Sequence, residues 1–77
     1  MRKWEGQSLN SLGTAYRNLN RFEQALEYYD RALVIMREIK EKDREGSVLY
    51  NLGVSYDRLA QYEKAQSFLE QALTIWH

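Results

Sequence analysis

Apolar residues recur along this chain at the spacing of one face of an α-helix. The first stretch predicts a helix over about residues 5–18. Similar patterns predict helices over about residues 22–40, 43–58 and 62–75. None of these segments alternates as a strand does and the chain has no proline, so the pattern predicts an all-α fold. The apolar or small positions of the first stretch, at i, i+3, i+4, i+7 and i+10, are Leu9, Leu12, Gly13, Tyr16 and Leu19.

The second half of the chain repeats the first half with a period of 40 residues. Self-similarity at a fixed period indicates an array of supersecondary units. We therefore expect one domain over residues 1–77, with a first helical hairpin over about 5–40 and a second over about 43–77. The identical positions, most of them apolar or small, are Glu5/Glu45, Gly6/Gly46, Leu9/Leu49, Leu12/Leu52, Gly13/Gly53, Tyr16/Tyr56, Leu19/Leu59, Glu23/Glu63, Ala25/Ala65, Ala32/Ala72, Leu33/Leu73 and Ile35/Ile75.

The connections between the helices differ in how clearly the sequence marks them. Asn20 suits a turn with left-handed backbone, and Ala60-Gln61 marks the turn of the second hairpin. The run 40–45 is charged and contains no helix breaker. It predicts either a short turn, with Asp43 capping the third helix, or a continuous helix across 36–47 that exchanges hairpins between two copies.

Two glycines lie in the middle of predicted helices, where glycine costs about 1 kcal/mol relative to alanine. We expect Gly13 and Gly53 to allow close approach of the partner helix, with Ala25 and Ala65 as the complementary small residues.

These positions resemble the tetratricopeptide repeat, whose pattern joins a large apolar residue, Leu-Gly, Tyr, Ala and an aromatic residue. The usual first tryptophan is replaced by Leu9 and Leu49, and the closing proline by Arg37 and His77. The period of 40 residues also exceeds the usual value of about 34. It resembles the long-period variant of kinesin light chains, of spindle-orientation adaptors rich in Leu-Gly-Asn repeats and of bacterial arrays. The matching residues are Leu9-Leu12-Gly13-Tyr16-Phe22-Ala25-Tyr29-Ala32 and Leu49-Leu52-Gly53-Tyr56-Tyr62-Ala65-Leu69-Ala72.

The resemblance implies an α-solenoid whose first helices line a concave surface that binds a peptide or helix of a partner protein. Asn51 is the strongest single candidate, because the family often uses an asparagine there to hold a ligand's backbone. Thr14 and Val54 stand where a clamp for a terminal carboxylate needs asparagine, so no such clamp is expected. The implied partner-binding residues are Asn10, Thr14, Arg17, Tyr50, Asn51, Val54 and Asp57, with Gln7, Ser11, Asn18, Ser47 and Arg58 beside them.

Composition narrows the function further. Eleven basic and eleven acidic side chains give a net charge of zero, so we expect neither nucleic acid nor a membrane surface as partner. The chain has no cysteine. It has no apolar run close to the ~20 residues that span a bilayer and no signal-peptide pattern. These features favour a cytoplasmic protein. The single histidine, His77, has no catalytic neighbour in the sequence, so we expect no enzyme, cofactor or metal site.

The last predicted helix keeps apolar residues without a polar cap, although solenoid ends need one. Exposed patches of this kind often mark interfaces. The alternative function is therefore a self-assembling or domain-swapping repeat unit, excised from a longer array or designed. It would form homo-oligomers through its uncapped end or by hairpin exchange. The expected self-association residues are Met36, Leu69, Leu73 and Trp76.

Overall fold

A computed structural model of the chain describes residues 2–76, and in them it contains four α-helices and no strand. The all-α prediction is confirmed, and the helices agree with the predicted ones to within a few residues. His77, which the sequence analysis considered as a catalytic candidate, lies outside the described residues. The helices are α1 (Arg2–Asn18), α2 (Phe22–Glu38), α3 (Lys42–Arg58) and α4 (Tyr62–Trp76).

The helices form two hairpins that pack side by side. α1 packs against α2 and α3 packs against α4, while α2 also packs against α3, and α1 touches α3 only lightly. One buried cluster runs through α1, α2, α3 and α4, so the contact between the hairpins completes a core that each hairpin begins. The fully or nearly buried apolar residues include Leu9, Ala25, Tyr29, Ala32, Leu33, Ile35, Met36, Val48, Leu49, Leu52 and Ala72.

All three connections use the same backbone geometry. The residues at the turns, Asn20, Lys40 and Ala60, have positive φ angles of 62°, 59° and 62°. The amide that follows each of them donates to a carbonyl five residues earlier, which is the Schellman motif of a helix C-terminus. These hydrogen bonds are Arg21 N to Tyr16 O (2.9 Å), Glu41 N to Met36 O (3.0 Å) and Gln61 N to Tyr56 O (2.9 Å).

The junction between the hairpins is therefore a turn in this chain, because the left-handed backbone at Lys40 ends α2. Of the two alternatives for residues 36–47, the structure has the turn and no continuous helix. The capping prediction for Asp43 is wrong: the residue before α3 is Glu41, which makes no side-chain capping hydrogen bond, and Asp43 lies in the first helical turn.

The mid-helix glycines do allow close packing, and the nearest atoms of the partner helix belong to a large side chain. A Cβ atom at Gly13 would first meet the ring of Tyr29. A Cβ atom at Gly53 would meet the Leu69 side chain first and the backbone oxygen of Ala65 at 3.2 Å. Each glycine thus makes room for the large side chain that the partner helix projects across it.

Aromatic pairs also repeat between the hairpins. Tyr16 stacks on Tyr28 with ring centroids 5.3 Å apart, and Tyr56 stacks on Phe68 at 5.5 Å. Each pair ties the end of the first helix of a hairpin to the second helix. Tyr62, which the repeat pattern places in the core, is exposed, because nothing in residues 2–76 covers its side of α4.

Candidate functional site

The surface shared by α1 and α3 carries two cavities, which we call together the α1–α3 groove. The larger cavity has a volume of 460 Å³ and the smaller one of 260 Å³. Both are open, as expected between two helices that touch only lightly. The larger is lined by Arg17, Asn18, Asn20, Phe22, Tyr50, Val54 and Arg58, and the smaller by Gln7, Asn10, Ser11, Met36, Arg44, Ser47 and Val48.

Asn51 links the two helices along this groove. Its Nδ2 donates to Oδ1 of Asn10 at 3.0 Å, and its Oδ1 accepts from Nη1 of Arg17 at 3.1 Å. The structure thus brings three of the predicted binding residues together. In the free chain, however, both ends of the Asn51 amide are engaged by the protein, so a ligand would have to replace these hydrogen bonds.

Thr14 contacts residues of the first hairpin. Its hydroxyl donates to the carbonyl of Asn10 at 3.1 Å and lies 2.9 Å from the hydroxyl of Tyr29. Because Tyr29 is fully buried, Thr14 gives that buried phenol a polar neighbour. The contacts describe a structural role for Thr14.

Tyr50 and Val54 lie one turn apart on α3 and line the larger cavity. The Tyr50 ring is about half exposed and lies 6.3 Å from the Trp76 ring, centroid to centroid. Phe22 lines the same cavity from the start of α2. These three side chains supply the apolar part of a cavity lining that is otherwise polar.

Asp57 lies apart from the other predicted binding residues. It lines a separate cavity with Leu69 and Leu73, although Arg17, at the equivalent position of the first repeat, lines the groove. The difference arises because α3 lies beside α1 on one side, whereas no helix within residues 2–76 lies beside it on the other.

The groove carries positive charge. Arg17, Arg44 and Arg58 line its cavities, and none of the lining residues is acidic. Within residues 2–76 none of these arginines forms an ion pair with a carboxylate, whereas Arg2 and Arg37 pair with Glu38 and Glu45.

Two of the arginines of the groove, Arg17 and Arg44, contact amide oxygens instead. With its amide oxygen turned towards α3, Gln7 packs against the Arg44 guanidinium, and that oxygen lies 2.8 Å from Nη1, 3.0 Å from Nη2 and 3.2 Å from Nε. Arg17 donates one hydrogen bond from Nη1 to Oδ1 of Asn51. Neutral amides fix these side chains in position and leave their charge uncompensated.

Sequence reasoning missed Arg44 and Phe22 as groove residues. Arg44 belongs to the charged run 40–45, which the sequence analysis interpreted only as a turn or a continuous helix between the hairpins. Arg44 lies in the first turns of α3, and it faces Gln7 because of the way the second hairpin packs beside the first. Phe22 was taken as a core residue, and it is half-buried with one side on the cavity.

The residues predicted for self-association are divided between the interior and the surface. Met36 is 1% exposed because α3 covers it, so only hairpin exchange would bring it to an interface between chains. On α4, Leu73 is 64% exposed and Trp76 49% exposed, with Leu69 partly buried beside them. We call Leu69, Leu73 and Trp76 the tail face.

The repeated hairpins, their shared turns and their paired stacks agree with a comparison against protein families. The family model described as tetratricopeptide repeat matches residues 4–76. The chain belongs to the tetratricopeptide repeat family. A search of curated proteins gave no match.

Tetratricopeptide repeats are generally protein–protein interaction modules, and the family consists of scaffolds rather than enzymes. In the described part of this tetratricopeptide repeat chain, no group of three or more His, Cys, Asp or Glu side chains is placed to hold a metal ion. None of the helices formed by residues 2–76 has both the length and the apolar character of a bilayer span.

Proposed function

We propose that this chain is a protein-interaction module that binds an acidic segment of a partner protein, either an extended peptide or a helix, in the α1–α3 groove. The observation that carries the proposal is the charge of the groove: three arginines line it and no carboxylate does. The groove has this local excess of positive charge although the net charge of the whole chain is zero.

The preference for acidic ligands follows because the arginines of the groove have no carboxylate partner in the free chain. An arginine that donates to a carboxylate makes a charge-assisted hydrogen bond, which is stronger than its bond to a neutral amide. A carboxylate arriving at Arg17 or Arg44 would replace such amide bonds. Since the groove is open to solvent, the attraction would act on the rate of association and on specificity, and salt would weaken it.

The larger cavity adds a second requirement. Tyr50, Val54 and Phe22 contribute apolar surface to the same cavity that Arg17 and Arg58 line. A ligand that places one apolar side chain there and acidic residues on either side would satisfy both features. Half-exposed tyrosines are frequent anchors in protein interfaces because they lose little conformational entropy on binding.

We propose that Asn51 exchanges its hydrogen-bond partners when a ligand binds. Its amide is bonded to Asn10 and Arg17 in the free chain. A ligand backbone offers one donor and one acceptor, the same pair that Asn10 and Arg17 supply. We infer that ligand binding transfers Asn51 to the ligand and frees Arg17 to meet a carboxylate.

The test is fluorescence anisotropy with a labelled acidic peptide of glutamate and aspartate around one central leucine. A second peptide has lysine at every acidic position. We expect the acidic peptide to bind and the lysine peptide not to bind. Arg17→Glu and Arg58→Glu should each weaken binding by about tenfold or more, because each removes an attraction and adds a repulsion.

The matched control is Arg31→Glu, which makes the same charge change on α2, where Arg31 lies over the Tyr28 ring and lines neither cavity of the groove. Circular dichroism establishes that each variant is folded. Equal losses in Arg31→Glu and Arg17→Glu would mean that only net charge matters, and binding of the lysine peptide would contradict the acidic preference.

A second candidate function is self-assembly, and the observation that favours it is the exposure of Leu73 and Trp76 on the tail face. Exposed large apolar residues in one patch are typical of interfaces. Hairpin exchange, the other route to a homo-oligomer, would require the turn at Lys40 to open into a helix.

Four further expectations from the sequence remain proposals. The period of 40 residues supports the long-period variant of the family. The packing of α2 against α1 of its own hairpin and against α3 of the second hairpin supports treating residues 1–77 as one domain of two repeats. A cytoplasmic location and the lack of catalytic activity are supported by the sequence features described above.

A further inference from the structure

Identical leucines at equivalent positions of the two repeats have very different exposure. Leu33 is 7% exposed and its counterpart Leu73 is 64% exposed. Leu52 is 0% exposed and its counterpart Leu12 is 45% exposed. The difference comes from the neighbours, because α2 and α3 cover Leu33 and Leu52 by packing against each other. Leu73 and Leu12 therefore lie on the surfaces that correspond to the two sides of that internal contact.

We define the head face as Trp4, Ser8, Leu12 and Ala15 on α1. Its counterparts on α3 include Val48, Leu52 and Ser55, which α2 buries almost completely. The head face bears a shallow groove of 430 Å³ and the tail face one of 410 Å³. The molecule thus presents both halves of an interface that it already makes once internally.

We propose that a second copy of this chain docks head to tail, its α1 packing on α4 of the first copy as α3 packs on α2 within the chain. The inference rests on self-assembly, the second candidate above, and specifies its geometry. The internal contact between α2 and α3 is the template, since the repeats share leucine at Leu33/Leu73 and Leu12/Leu52, although Met36 and Val48 correspond to Trp76 and Ser8.

Charge favours this pairing over a symmetric contact between two tail faces. The groove of the tail face is lined by Asp57 and Glu70 as well as by Leu69 and Leu73. Two tail faces in contact would bring these carboxylates together, and like charges across an interface are unfavourable. The residues lining the groove of the head face carry no charge, so the tail face meets no repulsion there.

A head-to-tail contact is heterologous, which means that each copy uses two different surfaces and that assembly continues beyond a dimer unless it closes into a ring. This distinguishes it from a symmetric dimer. Blocking one face leaves a copy that can still pair through its other face, so two differently blocked variants should complement each other.

The test is sedimentation velocity of the wild type, Leu12→Glu, Leu73→Glu and an equimolar mixture of the two variants. The wild-type mass should grow with concentration, and each variant alone should remain monomeric. The mixture should form a dimer of twice the monomer mass and nothing larger. Both leucines are already exposed, so the variants should fold, which circular dichroism checks.

The control is Val34→Glu, a comparable change at a position that is 56% exposed and lines neither groove, and it should assemble as the wild type does. A variant Leu12→Glu that assembles normally, or a mixture that stays monomeric, overturns the head-to-tail geometry while leaving self-assembly intact. A wild type that is monomeric at every concentration overturns self-assembly itself, and the proposal with it, without affecting the peptide-binding proposal.

Discussion

Tyr29 closes directly over Gly13: a Cβ atom on Gly13 would lie 2.7 Å from ring atoms Cδ1 and Cε1 of Tyr29. The ring cannot easily move away, because Tyr29 is fully buried and its hydroxyl lies 2.9 Å from that of Thr14. Gly13 therefore sets the distance between α1 and α2.

Gly13→Ala should destabilise the fold, although alanine favours a helix by about 1 kcal/mol over glycine. Overpacking against a buried ring costs about 1–3 kcal/mol or more, and we expect it to exceed the gain. Urea denaturation followed by circular dichroism measures the loss. Gly53→Ala is the matched control, and its loss should be smaller because Leu69 is only partly buried and can turn aside. A stabilised Gly13→Ala variant would contradict this account.

Ser55→Ala should stabilise the chain. Within residues 2–76, the hydroxyl of Ser55 is buried without a hydrogen-bond partner. Such a group costs about 1–3 kcal/mol, and the first repeat has Ala15 at the same position. We expect a gain of about 1 kcal/mol in the free energy of unfolding. Ser47→Ala changes an exposed serine of the same helix and should have little effect. A loss of stability in Ser55→Ala would mean that the hydroxyl has a partner after all.

Lys40→Gly and Ala60→Gly should each raise the melting temperature. Both residues adopt left-handed backbone, which costs a residue with a Cβ atom about 1 kcal/mol and costs glycine almost nothing. Asn20→Gly should gain less, because asparagine tolerates this conformation well. Lys40→Gly also tests hairpin exchange, since it favours the turn over a continuous helix. If hairpin exchange occurs, the exchanged fraction should decrease, and an unchanged fraction would mean that the hinge lies elsewhere.

Asp30→Asn should make stability less dependent on pH. Desolvation raises the pKa of Asp30 above its usual value, so the folded chain binds this proton more tightly than the unfolded chain. The charge of Asp30 therefore opposes folding near neutral pH, and this effect disappears as the pH falls through its folded pKa. We expect a gain of no more than about 0.5 kcal/mol at pH ~7, because solvent screens the site, and none at pH ~3. Urea denaturation at both pH values measures the difference.

The pKa of Tyr56 provides a second test of the charge of Asp30, because that charge acts on the Tyr56 hydroxyl. Desolvation raises the pKa of Tyr56, and the charge of Asp30 raises it further. The pKa of Tyr56 in Asp30→Asn should therefore move down towards the usual value for tyrosine, which ¹³C NMR of the ring resolves. A Tyr56 pKa that does not change would contradict the proximity of the two groups.

The helices could be predicted from the sequence because the packing positions repeat at helical spacing. The Asn20 turn could be predicted because asparagine adopts left-handed backbone readily. Lys40 performs the same role without any signal in its residue type, which is why the sequence analysis left residues 36–47 undecided. The backbone at Lys40 is fixed by the packing of α2 against α3 and not by local preference.

The candidate site was less predictable, because it depends on how the two hairpins are placed relative to each other. The repeat pattern placed Arg17 and Tyr50 on the right helices, but it treated Asp57 as equivalent to Arg17. It also could not show that Asn51 is bonded to Asn10. Contacts between α1 and α3 join residues from different repeats, so they cannot be read from the alignment of one repeat on the other.

The most direct test of the central claim, that the α1–α3 groove binds an acidic segment, is an NMR titration of ¹⁵N-labelled chain with the acidic leucine peptide. We expect the largest shifts at the amides of Arg17, Tyr50 and Val54 and at the side-chain amide of Asn51, with Arg31 and Val34 unchanged. Shifts that are largest at Arg31 and Val34, or no shifts at saturating peptide, would contradict it.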